Sequence, residues 1–206
     1  MGLRARLLQV PLVYELLTYG LTKPDTYQWL VDDVMALAPG MKVLDVGCGT
    51  AGVLKLLPPV DYVGIDHNAE YISKARNTFG NRGKFIARDV NDPAFKDLGV
   101  FDRVLLLGVL HHLNDDQCVQ LMHSLTGCLA SGGRLITFDN TLAQGQHPIA
   151  RMFSKLDRGR FSRSPDGYRA IVESTFEVER EVIRHDLMRV PYSHAVFRAR
   201  IRGSES

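Results

Sequence analysis

The chain has 206 residues, of which 45% are apolar and 23% charged, a composition typical of a globular protein. The net charge of +2 is too small to indicate nucleic-acid binding by itself. No window approaches the roughly 20 apolar residues of a membrane-spanning helix. Polar residues and Pro11 interrupt the N-terminal apolar stretch, so no signal peptide is predicted. Three scattered cysteines without zinc-ligand spacing favour a reducing, cytoplasmic location.

Apolar runs alternate with amphipathic stretches along most of the chain. Residues 3–38 have apolar positions at helical spacing and are predicted to be helical as far as Pro39. Beyond that proline, short apolar runs predict strands at 42–47, 60–65, 84–88, 101–107 and 133–139. The stretches between them predict helices at 50–57, 68–79 and 115–130. This alternation indicates βαβ units, a parallel sheet and helices on both of its faces.

The end of the chain has a different pattern. Residues 175–186 and 193–202 are predicted to be consecutive strands, because no helical stretch separates them. Two such strands form an antiparallel closing hairpin. From His194 to Arg202, polar and apolar residues alternate apart from Val196, which predicts a half-buried strand with His194 on the polar face.

Between residues 140 and 175 the chain lacks strand character. Residues 147–156 are predicted to be helical, and Ser164 followed by Pro165 predicts the start of another helix. Residues 151–169 contain six basic and two acidic residues, a local charge of 6 − 2 = +4. This basic segment is either a solvated helix face or a cap whose arginines bind a carboxylate or phosphate.

The glycine-rich turn after the first predicted strand carries the clearest functional signal. Gly47, Gly49 and Gly52 have the spacing of a nucleotide-binding turn, and Asp66 ends the next apolar run, where a carboxylate can bind a ribose. Nicotinamide and flavin proteins share this spacing. Asp45, however, would repel a pyrophosphate at this place. A cofactor with an ammonium and a sulfonium, such as S-adenosylmethionine, would tolerate it.

Five motifs in order resemble class I S-adenosylmethionine-dependent methyltransferases. They correspond to the glycine motif, the acid of the second strand, the adenine-contact motif, the fourth strand with its exit, and the turn into the fifth strand. The acid of the second strand, Asp66, follows Asp45 by 66 − 45 = 21 residues. In this chain they occupy residues 44–50, 63–66, 85–90, 101–113 and 129–135. The resemblance covers roughly residues 40–140.

This resemblance implies an α/β, Rossmann-like fold with a seven-stranded, mostly parallel sheet. Its strand order would be 3-2-1-4-5-7-6, with the antiparallel closing hairpin at one edge. We therefore expect one methyltransferase domain over residues 1–206. Its parts would be an N-terminal helical cap, a cofactor-binding core, an acceptor-side insert and a closing hairpin, at 1–38, 40–140, 141–174 and 175–202.

The resemblance also assigns cofactor-binding roles. Asp66 would accept hydrogen bonds from the ribose hydroxyls, Asp89 from the adenine amino group, and His67 would pack on the ribose or adenine. The backbone of Val90 would reach the adenine ring, and Asp45 would orient the glycine turn and attract the ammonium. The remaining expected positions line the methionine portion, with Cys48 as a small filler in the turn: Gly47, Cys48, Gly49, Leu107 and Gly108.

Two histidines are the candidate catalytic residues. Methyl transfer is an in-line displacement to which an enzyme contributes mainly alignment. His111 and His112 follow the fourth strand, where an imidazole could take a proton from a hydroxyl or amine near neutral pH. The alternative is a structural role for His112 and a solvent-facing or loop-bonding role for His111.

The acceptor site has weaker candidates. In the resembling family, the N-terminal helices and the insert after the fifth strand build this pocket. Tyr14, Tyr19, Arg158 and Arg160 are the expected contributors, although core packing explains the tyrosines equally well. The chain lacks the motifs that mark methylation of nucleic-acid bases or protein arginines.

No metal site is predicted. Asp139 and Asn140 resemble the metal-binding pair of catechol-type O-methyltransferases, but the partner acid is missing near Leu107.

The predicted function is methyl transfer from S-adenosyl-L-methionine to a small-molecule acceptor, with S-adenosyl-L-homocysteine as product. The acceptor atom is oxygen, nitrogen or carbon, and an anionic acceptor is among the options. Three alternatives remain: an RNA or protein methyltransferase, an NAD(P)-dependent oxidoreductase and a non-catalytic S-adenosylmethionine-binding module. Nucleic acid is not favoured as a partner, and both a monomer and a homodimer are open.

Overall fold

One seven-stranded sheet organises the fold. The computed structural model describes residues 20–90, 92, 97–143, 161–190 and 192–203. The strand order is β3-β2-β1-β4-β5-β7-β6, which confirms the predicted topology. The strands are β1 (Lys42–Val46), β2 (Asp61–Asp66), β3 (Lys84–Ala87), β4 (Phe101–Leu107), β5 (Leu129–Asn140), β6 (Phe176–Arg184) and β7 (His194–Ile201).

Strand direction decides which ends meet. Strands β3, β2, β1, β4 and β5 run parallel in that spatial order, whereas β7 is antiparallel to both β5 and β6. The carboxyl ends of β1, β2, β4 and β5 therefore lie at one edge of the sheet. The strand order reverses between β1 and β4, and ligands of open α/β sheets bind at such a reversal.

Among the described residues, four α-helices with assigned bounds and one π-helical turn accompany the sheet. Side chains cap three of the helices: Asn68 and Ser164 accept from backbone N–H groups of the first turn, and Asn114 forms a capping box with Gln117. The predicted helix start at Ser164 is confirmed. The helices are α1 (Pro24–Trp29, followed by the π-helical turn Leu30–Met35), α2 (Ala69–Phe79), α3 (Asp115–Thr126) and α4 (Pro165–Glu173).

Apolar side chains cover both faces of the central strands. In β4, Val104 and Leu106 belong to a core cluster shared with α3 and α4, whereas Leu105 belongs to a second cluster shared with residues 30–35. Successive side chains of a strand point to opposite faces, so a strand buried on both sides reads as a continuous apolar run. This burial explains why the strands were easy to recognise in the sequence.

Two predicted helices differ in the structure. The helix predicted at 50–57 is only a 3₁₀ turn, Gly52–Lys55, because Ala51 has a left-handed backbone with φ of 56° and prolines follow at once. The N-terminal helical region ends at Met35, where Ala36 is also left-handed, with φ of 48°. The helices predicted for 3–19 and 147–156 lie outside the described residues.

Smaller differences occur at other element ends. The helix predicted at 115–130 ends at Thr126, and β5 begins at Leu129 instead of residue 133. The register between β4 and β5 shifts between Phe101 and Arg103. Gly132, which was expected to precede the strand, is therefore part of β5 together with Gly133, and the two form an irregularity in it. Cys48, Cys118 and Cys128 are buried thiols that form no disulfide. In the described ranges, none of the helices has the length and apolarity needed to cross a membrane.

The prediction for His194 is wrong. Its side chain was expected on a polar face, but the residue is only 5% exposed. Its ring stacks on Phe138 of β5 with centroids 4.7 Å apart. The first half of β7 is buried on both faces, and only farther along, at Arg198 and Arg200, do polar residues become half-exposed. Alternation therefore describes only the second half of this strand.

The turn after β1 gives a test of packing. Gly47 and Gly132 have almost the same left-handed backbone, with φ of 76° and 74°. A Cβ at Gly47 would lie 2.6 Å from Cγ2 of Val109, whereas none of the described atoms lies within 4 Å of one at Gly132. Gly47→Ala and Gly132→Ala should share the backbone strain of about 1–2 kcal/mol. The Gly47 variant should lose a further ~1–3 kcal/mol through overpacking, measurable by urea unfolding. Equal losses would contradict this contact.

Candidate functional site

The glycine turn is bound to the end of β2. The backbone N–H groups of Gly47 and Cys48 both donate to the carbonyl of Ile65, at 2.8 and 2.9 Å. The N–H of Gly49 donates to Oδ2 of Asp66 at 2.9 Å. Left-handed backbone at both glycines lets the chain turn this sharply. The two strand ends therefore form one unit.

Asp66 has a double role in this unit. It is only 6% exposed, and its Oδ1 accepts from the N–H of Asn68 at 2.8 Å. Each carboxylate oxygen can accept a further hydrogen bond, so two remain available for the hydroxyls of a ribose. His67 lies beside it with a side chain that is 77% exposed, its Nδ1 3.5 Å from Oδ1 of Asp66.

Asp45 has a buried carboxyl group in which one oxygen has no hydrogen-bond partner. It is 1% exposed, and its Oδ2 accepts from the hydroxyl of Tyr62 at 2.6 Å, while its Oδ1 has no partner. Burial raises the pKa of Asp45 to about 7, the Tyr62 hydroxyl opposes this shift, and the charge of Asp66 adds to it. Oγ1 of Thr50, in the same turn, is also buried without a partner. Such atoms fit a ligand that brings hydrogen-bond donors and positive charge.

Cys48 packs inside the turn. It is 6% exposed, and its Sγ lies 2.9 Å from where a Cβ would stand on Gly64. Burial raises the pKa of its thiol well above the ordinary range, and nearby negative charges add to this. The thiol therefore stays protonated and is not set up as a nucleophile.

The other expected cofactor positions follow β3 and β4 at the same edge. Asp89 comes two residues after the end of β3 and is exposed, and Val90 is half-buried against the core cluster shared with α3 and α4. Leu107 ends β4, and the next residue, Gly108, is left-handed with its N–H bound to the carbonyl of Phe138 at 2.7 Å. These positions flank the glycine turn.

The two histidines after β4 have different surroundings. His111 is buried, and its Nδ1 lies 2.7 Å from Oδ1 of Asp139, at the end of β5. His112 is exposed, with its ring centroid 4.1 Å from that of His111. Asp139 had been considered only with Asn140 as a metal pair, but it binds a histidine. Within the described part of the chain, no group of His, Cys, Asp and Glu side chains is arranged to hold a metal ion.

Arg163 fixes the loop at residues 110–113, which contains His111 and His112 and is called the histidine loop below. Its guanidinium donates to the carbonyl of Leu110 at 2.8 Å, to that of Leu113 at 2.7 Å and to Oδ1 of Asp115 at 2.8 Å. The interpretation of the basic segment as an anion-binding cap is therefore wrong for this arginine. Its donors are directed at the carbonyls on either side of His111.

Four expected acceptor residues remain predictions. Tyr14, Tyr19, Arg158 and Arg160 lie outside the described residues. Tyr62 was not among the predicted site residues, although a signal for it existed. Asp45 pairs with Gly64 across β1 and β2, and residues two apart in a strand share a face, so Tyr62 lies on the face of Asp45.

The central part of the chain matches the methyltransferase domain family over residues 43–133. The chain is 31% identical to the probable tRNA methyltransferase 9B of Mus musculus over 137 aligned residues. This alignment covers 65% of this chain and 28% of the mouse protein. The corresponding human protein is 33% identical over 103 residues, 21% of its length. The chain thus spans only about a quarter of the length of these relatives.

Solved structures show the same fold. The N-methyltransferase NodS from Bradyrhizobium japonicum WM9, in complex with S-adenosyl-L-homocysteine, superimposes with a TM-score of 0.67 at 16% identity and covers 86% of each chain. The cyclase SpnF superimposes with a TM-score of 0.69 at 16% identity, over 86% of this chain and 81% of that one. A fold shared by a methyltransferase and a cyclase does not by itself decide the reaction.

The family match and the fold agree with the geometry at the sheet edge. The matched residues 43–133 include the glycine turn, the acid at the end of β2 and the exit from β4. The sheet order is the one that the sequence resemblance implied. Residues 43–133 thus match a methyltransferase domain, and the chain shares the fold of the N-methyltransferase NodS.

Proposed function

We propose that the protein transfers a methyl group from S-adenosylmethionine to a small-molecule acceptor, on oxygen, nitrogen or carbon. The observation that carries this proposal is the buried Oδ1 of Asp45, which has no partner beneath the glycine turn. A buried carboxylate oxygen is costly unless a donor or a cation reaches it. The ammonium of the methionine portion supplies both.

The same carboxyl argues against a nicotinamide cofactor. Asp45 and Asp66 lie at the ends of adjacent strands, and their mutual repulsion already contributes to the raised pKa of Asp45. A pyrophosphate would bring two more negative charges into this low-dielectric place. A cationic ligand instead lowers the free energy of both carboxylates.

The residues of the sheet edge would then divide the work. S-adenosylmethionine supplies, when bound, an electrophilic methyl group on a sulfonium. Asp66 would bind the ribose hydroxyls and Asp45 the ammonium. Asp89 and the backbone of Val90 would bind the adenine, and the glycine turn would admit the main chain to the ligand. Gly108 and Leu107 would border the methionine portion at the exit of β4.

A small acceptor is favoured over a polynucleotide by the charges of the described residues. Arginines of β5 and of the closing hairpin are paired with glutamates, as in Arg134 of β5 with Glu179 and Arg200 of β7 with Glu177. Binding of a phosphate backbone depends on cations that neutralise phosphates. Paired arginines and a formal net charge of +2 offer a weak surface for it.

RNA is the second candidate acceptor because of the named relatives. Two mammalian proteins with 31% and 33% identity are probable tRNA methyltransferases. Their match covers the domain that binds the cofactor and less than a third of their length. The common part therefore supports a shared methyl donor more directly than a shared acceptor.

Release of S-adenosylhomocysteine tests the proposed function. The protein is incubated with S-adenosylmethionine and a panel of phenols, carboxylates and amines, and in parallel with total tRNA. Release with a panel member and not with tRNA supports the proposal. Release with tRNA alone would replace it by RNA methylation, and release with neither would contradict methyl transfer to these classes.

The ribose role of Asp66 gives a prediction that separates binding from folding, since this residue also closes the glycine turn. Asp66→Ala should weaken the binding of S-adenosylhomocysteine by ~1–3 kcal/mol, because hydroxyls lose their acceptor. The unsubstituted protein should bind S-adenosylhomocysteine more tightly than its 2′-deoxy analogue, whereas Asp66→Ala should bind the two ligands with equal affinity. Calorimetry measures the four affinities, and unchanged discrimination in the variant would remove Asp66 from the ribose.

Asp45→Asn tests the buried carboxyl without any ligand. Because the pKa of Asp45 is raised from 3.8 to about 7 in the folded chain, its stabilising contribution is complete below about pH 4 and is lost as the pH rises to about 7. The variant avoids this loss. The stability of the variant relative to the unsubstituted protein should therefore increase between about pH 5 and about pH 8, by at most about 3 kcal/mol.

Urea unfolding of both proteins at the two pH values measures this difference. Tyr62→Phe is the matched control, because it removes the donor that opposes the shift and should extend the loss to higher pH. A stability difference between Asp45→Asn and the original chain that does not change with pH would show that the carboxyl is already ionised in the fold.

A further inference from the structure

A buried histidine–carboxylate pair lies next to the glycine turn. Oδ1 of Asp139 receives two contacts from His111, one from Nδ1 at 2.7 Å and one from the backbone N–H at 3.1 Å. Asp139 is 2% exposed and His111 is 9% exposed. The pair joins the exit of β4 to the end of β5.

Oδ1 of Asp139 accepts from the backbone N–H of His111 in every state of the ring. In the neutral tautomer with its proton on Nδ1, the ring also donates to this oxygen, and Nε2 then has a lone pair. Burial raises the pKa of Asp139, while its hydrogen bonds to His111 and the charge of Arg163 oppose this shift.

The surroundings hold the ring in place. Arg163 binds the carbonyls of Leu110 and Leu113, on either side of the histidine. From β7, His194 approaches with Nδ1 buried and without a partner, and burial, with a smaller contribution from the neighbouring His111, lowers its pKa to about 3. His194 is therefore neutral at the pH of the cell and adds no competing positive charge.

The segment that carries His111 packs against the glycine turn. Val109 precedes the 3₁₀ turn Leu110–His112, and its Cγ2 would lie 2.6 Å from a Cβ on Gly47. The histidine loop and the glycine turn are thus in contact. A proton acceptor on this loop lies beside the place where the methionine portion would end.

We propose that Nε2 of His111 accepts the proton of the nucleophile during methyl transfer, and that Asp139 is the positioning residue that holds the ring for this step. The proposal rests on the proposed function and names its acceptor class. The acceptor would carry a proton on the reacting oxygen or nitrogen, as an alcohol, phenol or amine does. Carbon nucleophiles and tertiary amines would not use this pair.

The step balances in atoms and electrons. The oxygen or nitrogen of the acceptor forms a bond to the methyl carbon as the carbon–sulfur bond breaks, and that electron pair remains on sulfur. The proton moves from the acceptor to Nε2 of His111. The resulting imidazolium lies against the carboxylate of Asp139, and solvent takes the proton after product release.

Nuclear magnetic resonance tests the pair without an acceptor. Long-range proton–nitrogen correlations on histidine-labelled protein, with S-adenosylhomocysteine added, should show His111 protonated at Nδ1 and unprotonated at Nε2. Asp139→Ala should lose this preference, whereas Asp139→Asn, which keeps an oxygen at the same place, should retain it. A ring protonated at Nε2 in the original chain would overturn the proposal.

Kinetics tests the proton transfer with the panel acceptor that releases the most S-adenosylhomocysteine. His111→Ala should lower kcat about a hundredfold or more, with unchanged affinity for S-adenosylhomocysteine, and added imidazole should restore part of the rate. Asp139→Ala should lose less and should not respond to imidazole. His123→Ala, an exposed histidine at the end of α3, is the matched control.

A loss in His111→Ala no larger than that in His123→Ala would overturn the role of His111 as a base. The proposed function can fail independently of this inference. If the original chain releases no S-adenosylhomocysteine with any acceptor, the function is contradicted, while the tautomer of His111 still decides whether the pair has the geometry of a base.

Discussion

The constraint on which the site depends is a carboxyl buried beneath the glycine turn. Asp45 is 1% exposed and has one donor, the hydroxyl of Tyr62. Its second oxygen faces no described partner, and the carboxylate of Asp66 lies at the end of the adjacent strand. Such a group is stable only if it is protonated or if a cation approaches. We therefore consider charge, and not the glycine spacing, as the feature that selects the ligand.

The sheet order places the glycine turn, the two histidines after β4 and Asp139 at the same edge as this carboxyl. Because β1 and β4 are neighbours and parallel, the glycine turn and the histidine loop leave the sheet at the same edge. The parallel pairing of β4 with β5 brings Asp139 to the same edge. Arg163 then fixes the loop through its carbonyls. The proposed cofactor-binding and proton-accepting residues would thus be adjacent, although no single segment of sequence contains both.

Much of this arrangement could be predicted because its signals are local. Strands buried on both faces produced continuous apolar runs, and the glycine turn with Asp66 lies within one βαβ unit. The contacts of His111 with Asp139 and of Arg163 with Leu110 join residues 28 and 53 positions apart, and no periodicity encodes them. Burial of His194 depends on both faces of β7 being covered, which alternation along one strand does not reveal. Left-handed Ala51 shortened a helix that its composition favoured.

Proton release on cofactor binding tests the central claim most directly. Calorimetry of S-adenosylmethionine binding at about pH 6, in buffers of different ionisation enthalpy, counts the protons released. If the ammonium binds Asp45, the original chain should release close to one proton, because a carboxyl that is mostly protonated in the free protein becomes ionised in the complex. Asp45→Asn should release none. Equal release from both proteins, or binding without release from the original chain, would contradict the claim that this buried carboxyl selects a cationic cofactor.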